Sequence, residues 1–218
     1  MNFKYSKELF LIGIIFMLLS CNSLGLLPQK TQIEKNEEIN NSPITSTSSQ
    51  YPIVDTNQEK CFDVSGVKIL CMQTGQDAQY KTLSPSFSDN NDGTVSDHIT
   101  KLVWQQTADI NGDGKVNYDD KMSQSDAISY CENLTLAKKS DWRLPDIKSI
   151  YSLIDFNGKD ISAYDEEDSK LTPFINNYVF GFGYGDRSKK ERLIDAQWAT
   201  STKYVSNTMN GNNTMFGV

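Results

Sequence analysis

The segment Asp109-Ile-Asn-Gly-Asp-Gly-Lys-Val-Asn-Tyr-Asp-Asp120 constrains this chain more than any other. Oxygen-bearing side chains recur at alternate positions, and a glycine sits where the chain must turn sharply. Asp109, Asn111 and Asp113 stand at positions 1, 3 and 5 of a twelve-residue loop, and Gly114 stands at 6. Lys115 offers its carbonyl at 7, Asn117 a direct or water-mediated contact at 9, and Asp120 a carboxylate at 12. A hard cation needs a shell of oxygens, and a tight loop of this pattern turns them inward. The spacing predicts a calcium site. The competing reading is an acidic, glycine-rich surface turn.

The pattern is that of an EF-hand-type loop, with two departures. Position 12 is Asp rather than Glu, one methylene shorter. The preceding Lys101–Gln106 reads as strand rather than helix, with Val103 and Trp104 typical of strands. Dockerin modules are similar in spacing and in the Asp at position 12, but they carry two copies and this chain carries one.

Residues 1–20 read as a secretion signal. Lys4 and Lys7 are its positive region, and Leu9–Leu19 is an apolar run of 11 residues. A bilayer span needs about 20. The run ends in Leu18-Leu19-Ser20-Cys21, which resembles a bacterial lipobox, so Cys21 is the expected lipidation site and the membrane the expected partner. Several acyl chains on one residue exceed what stable anchoring requires. Asn22 is not the Asp associated with inner-membrane retention, which points to the outer membrane or cell surface of the envelope. Residues 21–58 are rich in Ser, Thr, Asn, Gln and Glu without hydrophobic period, and read as a disordered tether. Residues 59–218 suit one domain.

Of 21 Lys and Arg and 28 Asp and Glu, removal of the signal takes away Lys4, Lys7 and Glu8, leaving a net charge of −8. That argues against a nucleic-acid binder. The single histidine, His98, lies in an apparent turn and reads as solvated or structural rather than catalytic. No His/Cys cluster has zinc spacing. Cys61 and Cys71 bracket an expected hairpin turning near Ser65-Gly66. A two-residue turn would put them on opposite faces, whereas a three-residue or bulged turn would set them opposite each other and allow a disulfide. Cys131 is then left without a partner.

Within the domain, Thr94–Ser96 and Leu102–Trp104 read as short strands. Ser123 is placed to cap a helix with the apolar face Ala127, Ile128, Cys131 and Leu134. Asp146 is placed to cap a second, whose stripe is Ile147, Ile150, Tyr151 and Ile154. Beyond the acidic Asp165–Asp168 lie a glycine-aromatic stretch, Phe180-Gly-Phe-Gly-Tyr-Gly185, and late strands at Gln197–Thr202 and Thr214–Val218. Tyr204–Met209 is a further candidate strand, with Asn210-Gly211 as its turn. Trp142, Leu144 and Trp198 read as core, and Arg143 as a tie between helix and sheet. Arg187, Lys189, Lys190 and Arg192 read as a solvated basic loop or a contact for acidic polysaccharide.

Asn91-Asp-Gly-Thr-Val-Ser-Asp97, Leu102-Val-Trp-Gln105, a helix, Asp141-Trp-Arg-Leu-Pro145, the Ile147–Leu153 helix and Trp198-Ala-Thr-Ser-Thr202 follow in this order. Over roughly residues 75–218 the chain resembles the Lcl C-terminal domain family of bacterial proteins, long labelled as of unknown function. The resemblance implies an α+β, C-type-lectin-like domain with short antiparallel strands and two helices, here carrying one EF-hand-type calcium loop. Members are often lipoproteins or adhesins, and carbohydrate or host-matrix binding is proposed for some. The family defines no catalytic residues, so none carry over. Some members have an Asp-x-Asn-x-Asp-Gly insert before the first helix. Members usually continue beyond a Phe-Gly-Val-like strand to a closing Val-Arg segment, often preceded by a Cys; against that pattern Phe216-Gly-Val218 reads as a truncated end.

The leading expectation is a non-enzymatic, lipid-anchored surface protein, stabilised by calcium, that binds a glycan or matrix protein. One alternative is a structural or assembly lipoprotein in which calcium is only a staple. Another is an extracytoplasmic enzyme, because formylglycine-generating enzymes have a related C-type-lectin-like fold; that rests on fold analogy.

Overall fold

The computed structural model describes residues 21–24, 51–159, 170–205 and 215–217. The expected signal at 1–20, residues 25–50 of the expected tether, Asp165–Asp168, the expected Asn210-Gly211 turn and most of the candidate strand Tyr204–Met209 lie outside the described residues.

The architecture is α+β. A four-stranded antiparallel sheet has the order β1-β6-β5-β4, with β1 at Asn22–Leu24, β4 at Phe87–Asp89, β5 at Thr94–Asp97 and β6 at Leu102–Gln105. Val95 pairs with Trp104 and Ser96 with Val103. Alternation therefore sends Leu102, Trp104 and Val95 to one face and Val103 to the other. Two cores form accordingly. Val95, Leu102 and Trp104 pack with Ile150, Leu153, Ile175, Phe180 and Trp198. On the Val103 side, Cys131 and Ala127 pack with Trp142, Leu144 and Ala199. The three residues read as core, Trp142, Leu144 and Trp198, are all buried.

Helix α1 is Gln124–Asn133, and α2 is Ile147–Tyr151. Each begins at its expected cap. Ser123 accepts from the Asp126 amide, and the Asp146 carboxylate accepts from the Ser149 amide at 2.8 Å. The second helix stops sooner than its apolar stripe suggests. Ile154 instead makes an antiparallel bridge to Ile175, so the last apolar position of the stripe is spent on an extended contact. The late strands β7 (Ala199–Lys203) and β8 (Met215–Gly217) pair antiparallel with a register shift between their ends.

Three expectations are corrected. Residues 21–24 and 51–58 are not tether. Asn22–Leu24 form a strand of the sheet, and the 51–58 segment is tied down by a bridge from Val54 to Leu83 and by Asp55, whose carboxylate accepts from the Thr82 amide at 2.7 Å and the Asn57 amide at 2.9 Å. Cys131 has a partner, because it is disulfide-bonded to Cys21 with Cα atoms 5.7 Å apart.

The third correction is one of register in the small hairpin β2 (Cys61–Phe62) and β3 (Lys68–Ile69). Cys61 and Cys71 are bonded, with Cα atoms 5.2 Å apart, but Cys61 lies opposite Ile69 rather than Cys71. The turn has three residues but is centred on Ser65, one residue earlier than direct opposition requires, with Asp63 opposite Val67 and Gly66 at φ +78°. Asp63 sets it: its carboxylate accepts from the amides of Ser65 and Val67. The disulfide thus runs diagonally, between residues two positions out of register.

Candidate functional site

The loop 109–120 joins β6 to α1, and its polar side chains organise its own backbone. Asp109 Oδ1 accepts from the amides of Gly112 (2.7 Å) and Asp113 (3.2 Å), and its Oδ2 from Gly114 (2.8 Å). Asn111 accepts from the Asp113 amide at 2.8 Å, and Asp113 from Lys115 at 2.9 Å. Asn117 accepts from Asp119 at 2.7 Å and caps a short 3₁₀ turn, Tyr118–Asp120. Asp120 is fully buried and reaches back across the loop, accepting from Ile110 at 3.0 Å and Asn117 at 2.9 Å. Gly112 and Gly114 have φ of +75° and +83°, a left-handed conformation that side-chain-bearing residues rarely adopt.

This set holds only hard oxygen donors, which suits calcium. Asp109 Oδ2 and Asp113 Oδ1 each accept one amide and keep a second lone pair for a cation, whereas Asp109 Oδ1 and Asp120 Oδ1 each accept two. The carboxylates do not, however, converge here. Among the described residues no three His, Cys, Asp or Glu side chains meet closely enough to hold a metal ion. Asp109, Asn111, Asp113, Lys115, Asn117 and Asp120 share one loop, with its carboxylates engaged by amides.

The loop is fixed to the body of the domain by two features that sequence reading missed. The side chain of Lys121, directly after it, is almost fully buried; its Nζ lies 2.7 Å from Glu191 Oε1 and also donates to the Asp195 carbonyl. Glu191 in turn accepts from the Asp186 amide at 2.8 Å. The second feature is the glycine-aromatic stretch. In an extended chain, alternate residues face opposite ways. Phe180 and Phe182 pack with the core, Phe180 edge-on to Phe87 and Phe182 edge-on to Trp198. Gly183 and Gly185 face backbone carbonyls instead, and Gly181 faces the Thr107 side chain. A Cβ at Gly183 would collide with the Val116 carbonyl of the loop. The signal was present as the period-two pattern, but its partner is 67 residues away and invisible to local reading.

An open cleft of about 380 Å³ lies along the loop, lined by Thr107, Asp109, Lys115, Val116, Gly181 and Phe182. It combines a carboxylate, an ammonium, a hydroxyl and an aromatic ring. On another part of the domain an apolar cavity of about 360 Å³ is walled by Ile150, Ile154, Phe174, Phe182, Leu193 and Trp198.

The basic cluster is dispersed. Arg192 forms a bidentate pair with Asp195, and Lys189 lies 3.9 Å from Asp119 and 5.5 Å from the centre of the Tyr118 ring. Arg143 lies 3.7 Å from the carboxylate that caps α2. His98 pairs with the Ser88 hydroxyl at 2.7 Å in an exposed turn. Cys21, the expected lipidation site, is fully buried with its sulfur bonded to Cys131.

From Gly93, before β5, to Gly217 at the end of β8, the chain matches the Lcl C-terminal domain. The chain belongs to the Lcl C-terminal domain family. The match takes in the sheet strands β5 and β6, the loop, both helices and the late strands, so the 109–120 loop lies within the Lcl C-terminal domain. No match is found among curated proteins or among solved structures.

Proposed function

We propose that this chain is a lipid-anchored protein of the bacterial envelope whose domain, C-type-lectin-like in fold, binds a glycan or matrix ligand without chemistry, calcium closing the 109–120 loop. The observation that carries this reading is the cleft beside the loop. Thr107, Asp109 and Lys115 offer hydroxyl, carboxylate and ammonium groups beside the Phe182 ring. Sugars are held by such a mixture, with hydrogen bonds to their hydroxyls and apolar contact to a ring face. Calcium, when bound, would be held by Asp109, Asn111, Asp113, the Lys115 carbonyl, Asn117 and Asp120. It would offset the repulsion among the carboxylates and stiffen one wall of the cleft. The lipobox supplies the anchor, through Cys21, in the outer membrane or at the cell surface.

The reading in which calcium is only a structural staple has one observation in its favour. The loop's carboxylates are engaged in folding the loop itself. The enzyme reading would require a reactive cysteine pair in a cleft, and all four cysteines are in disulfides. A glycan array and a matrix-protein binding screen, run on residues 21–218 with and without calcium, separate the readings. Calcium-dependent binding lost on Lys115→Ala and Phe182→Ala supports a ligand site. Calcium-dependent stability with no ligand in either screen supports the staple.

A further inference from the structure

The four residues that follow the leader fill a slot. Strand β1 runs antiparallel to β6, with Asn22 opposite Trp104 and Ser23 opposite Val103. On its other side Asn22 exchanges two backbone hydrogen bonds of 3.0 Å with Arg143, and the Gln105 amide donates to the Cys21 carbonyl at 2.9 Å. The strand is therefore flanked by protein on both edges. Cys21 lies among Ala127, Cys131, Trp142, Leu144 and Ala199 and has no exposed surface.

The occupant matches the slot in its backbone but not in its side chains. The Asn22 amide group and the Ser23 hydroxyl are buried, and neither makes a hydrogen bond among the described residues. Burying such groups unsatisfied is unfavourable. The segment is held by main-chain pairing and by the bond to Cys131, and the side chains of Asn22 and Ser23 favour its release.

Resting on the lipid-anchor reading above, we propose that the Cys21 sulfur chooses between two exclusive states: an S-diacylglyceryl anchor with the β6 slot open, and a disulfide to Cys131 with the slot closed and the chain unanchored. One sulfur cannot carry both bonds. In acylation the thiol loses its proton, a C–S bond forms to the glyceryl carbon of a glycerophospholipid, and the C–O bond to its head-group phosphate breaks. In closure the two thiols give up two protons and two electrons to a disulfide of the envelope's thiol–disulfide exchange system, which leaves as two thiols. The diacylglyceryl group is also too large for the small, packed cluster around Cys131, so anchoring requires residues 21–24 to leave it.

The test uses the full-length chain exported by bacterial cells. Thiols are blocked at lysis with a mass-tagged alkylating reagent, the chains are split by detergent partitioning, and both fractions are digested without reduction. Acylated chains are expected to yield Cys131 as a tagged free thiol, with loss of hydrogen-exchange protection at the Gln105 and Arg143 amides. Unacylated chains are expected to yield the Cys21–Cys131 linked peptide, with both amides protected. Cys131→Ser should leave acylation unchanged while abolishing that protection in the unacylated fraction. The inference is overturned if acylated chains keep Gln105 and Arg143 protected as in unacylated chains. It is equally overturned if unacylated chains carry free thiols at 21 and 131 while Cys61–Cys71 is linked. Absence of acyl groups from every chain would instead remove the anchor reading on which the inference rests.

Discussion

Lys121 and Asp55 show how single residues hold this domain. Lys121 places an ammonium in the interior, where it meets Glu191 and the Asp195 carbonyl. Such a pair adds little over apolar packing, but removing one partner strands the other charge. Lys121→Met should therefore cost about 3–5 kcal/mol in denaturant unfolding, and adding Glu191→Gln should recover part of that loss. Equal loss in the single and double variants would contradict the pairing. Asp55 accepts first from the Thr82 amide and then from Asn57, and these bonds hold its carboxyl below the usual range despite the opposing effect of burial. A carboxyl depressed in the folded state stabilises the fold above its unfolded value of about 3.9 and loses that contribution as pH falls through the folded value. Asp55→Asn should lower the melting temperature at pH 7, with the difference from wild type narrowing below about pH 4. A difference that stays constant down to pH 2 would show that the charge of Asp55 is not involved.

At the scale of elements, the caps and short strands set by neighbouring residues are legible in the sequence, whereas pairings with distant partners are not. Both helix starts were legible because Ser123 and Asp146 cap amides three residues ahead. The strand at 102–105 was legible from Val103 and Trp104. Strand β1 was not. Asn22 and Ser23 are polar and lack a hydrophobic period, and only pairing to β6 and the bond to Cys131 make them a strand. The hairpin register was open although its determinant is local: Asp63, which flanks the three-residue turn, selects where the chain reverses. In the candidate site the loop residues were legible from spacing, but the clamps at Lys121 and Gly183 were not, since their partners lie 70 and 67 residues away. Gly183→Ala tests the second clamp. Its methyl would meet the backbone carbonyl of Val116, which cannot swing aside as a side-chain end can. Overpacking of this kind costs about 1–3 kcal/mol. The fold should be destabilised by that much in denaturant unfolding, and hydrogen exchange should quicken in the 109–120 loop. A neutral substitution would mean that the stretch rests on the loop only loosely.

For the whole molecule, the 109–120 loop connects the sheet to α1, is clamped to the 180–195 region, and lies inside the Lcl C-terminal domain. A cation that draws Asp109, Asp113 and Asp120 together should therefore stabilise the entire fold. With a dissociation constant in the 10⁻⁴ to 10⁻³ M range usual for extracellular modules, calcium at ten times that constant contributes about 1.4 kcal/mol by mass action. For a domain of this size that is a rise of about 3–6 °C in melting temperature. Magnesium should do less, because it gives up its waters reluctantly and demands a stricter octahedron. The most direct test is calorimetric titration of calcium into the wild-type protein and into the Asp109→Ala/Asp113→Ala double variant, with melting curves on both. The account predicts saturable heat and a raised melting temperature in the wild type, and neither in the folded variant. Well-folded wild type that gives no calcium heat, or the same heat in the variant, would contradict it and leave the loop as an acidic turn closed by its own amides.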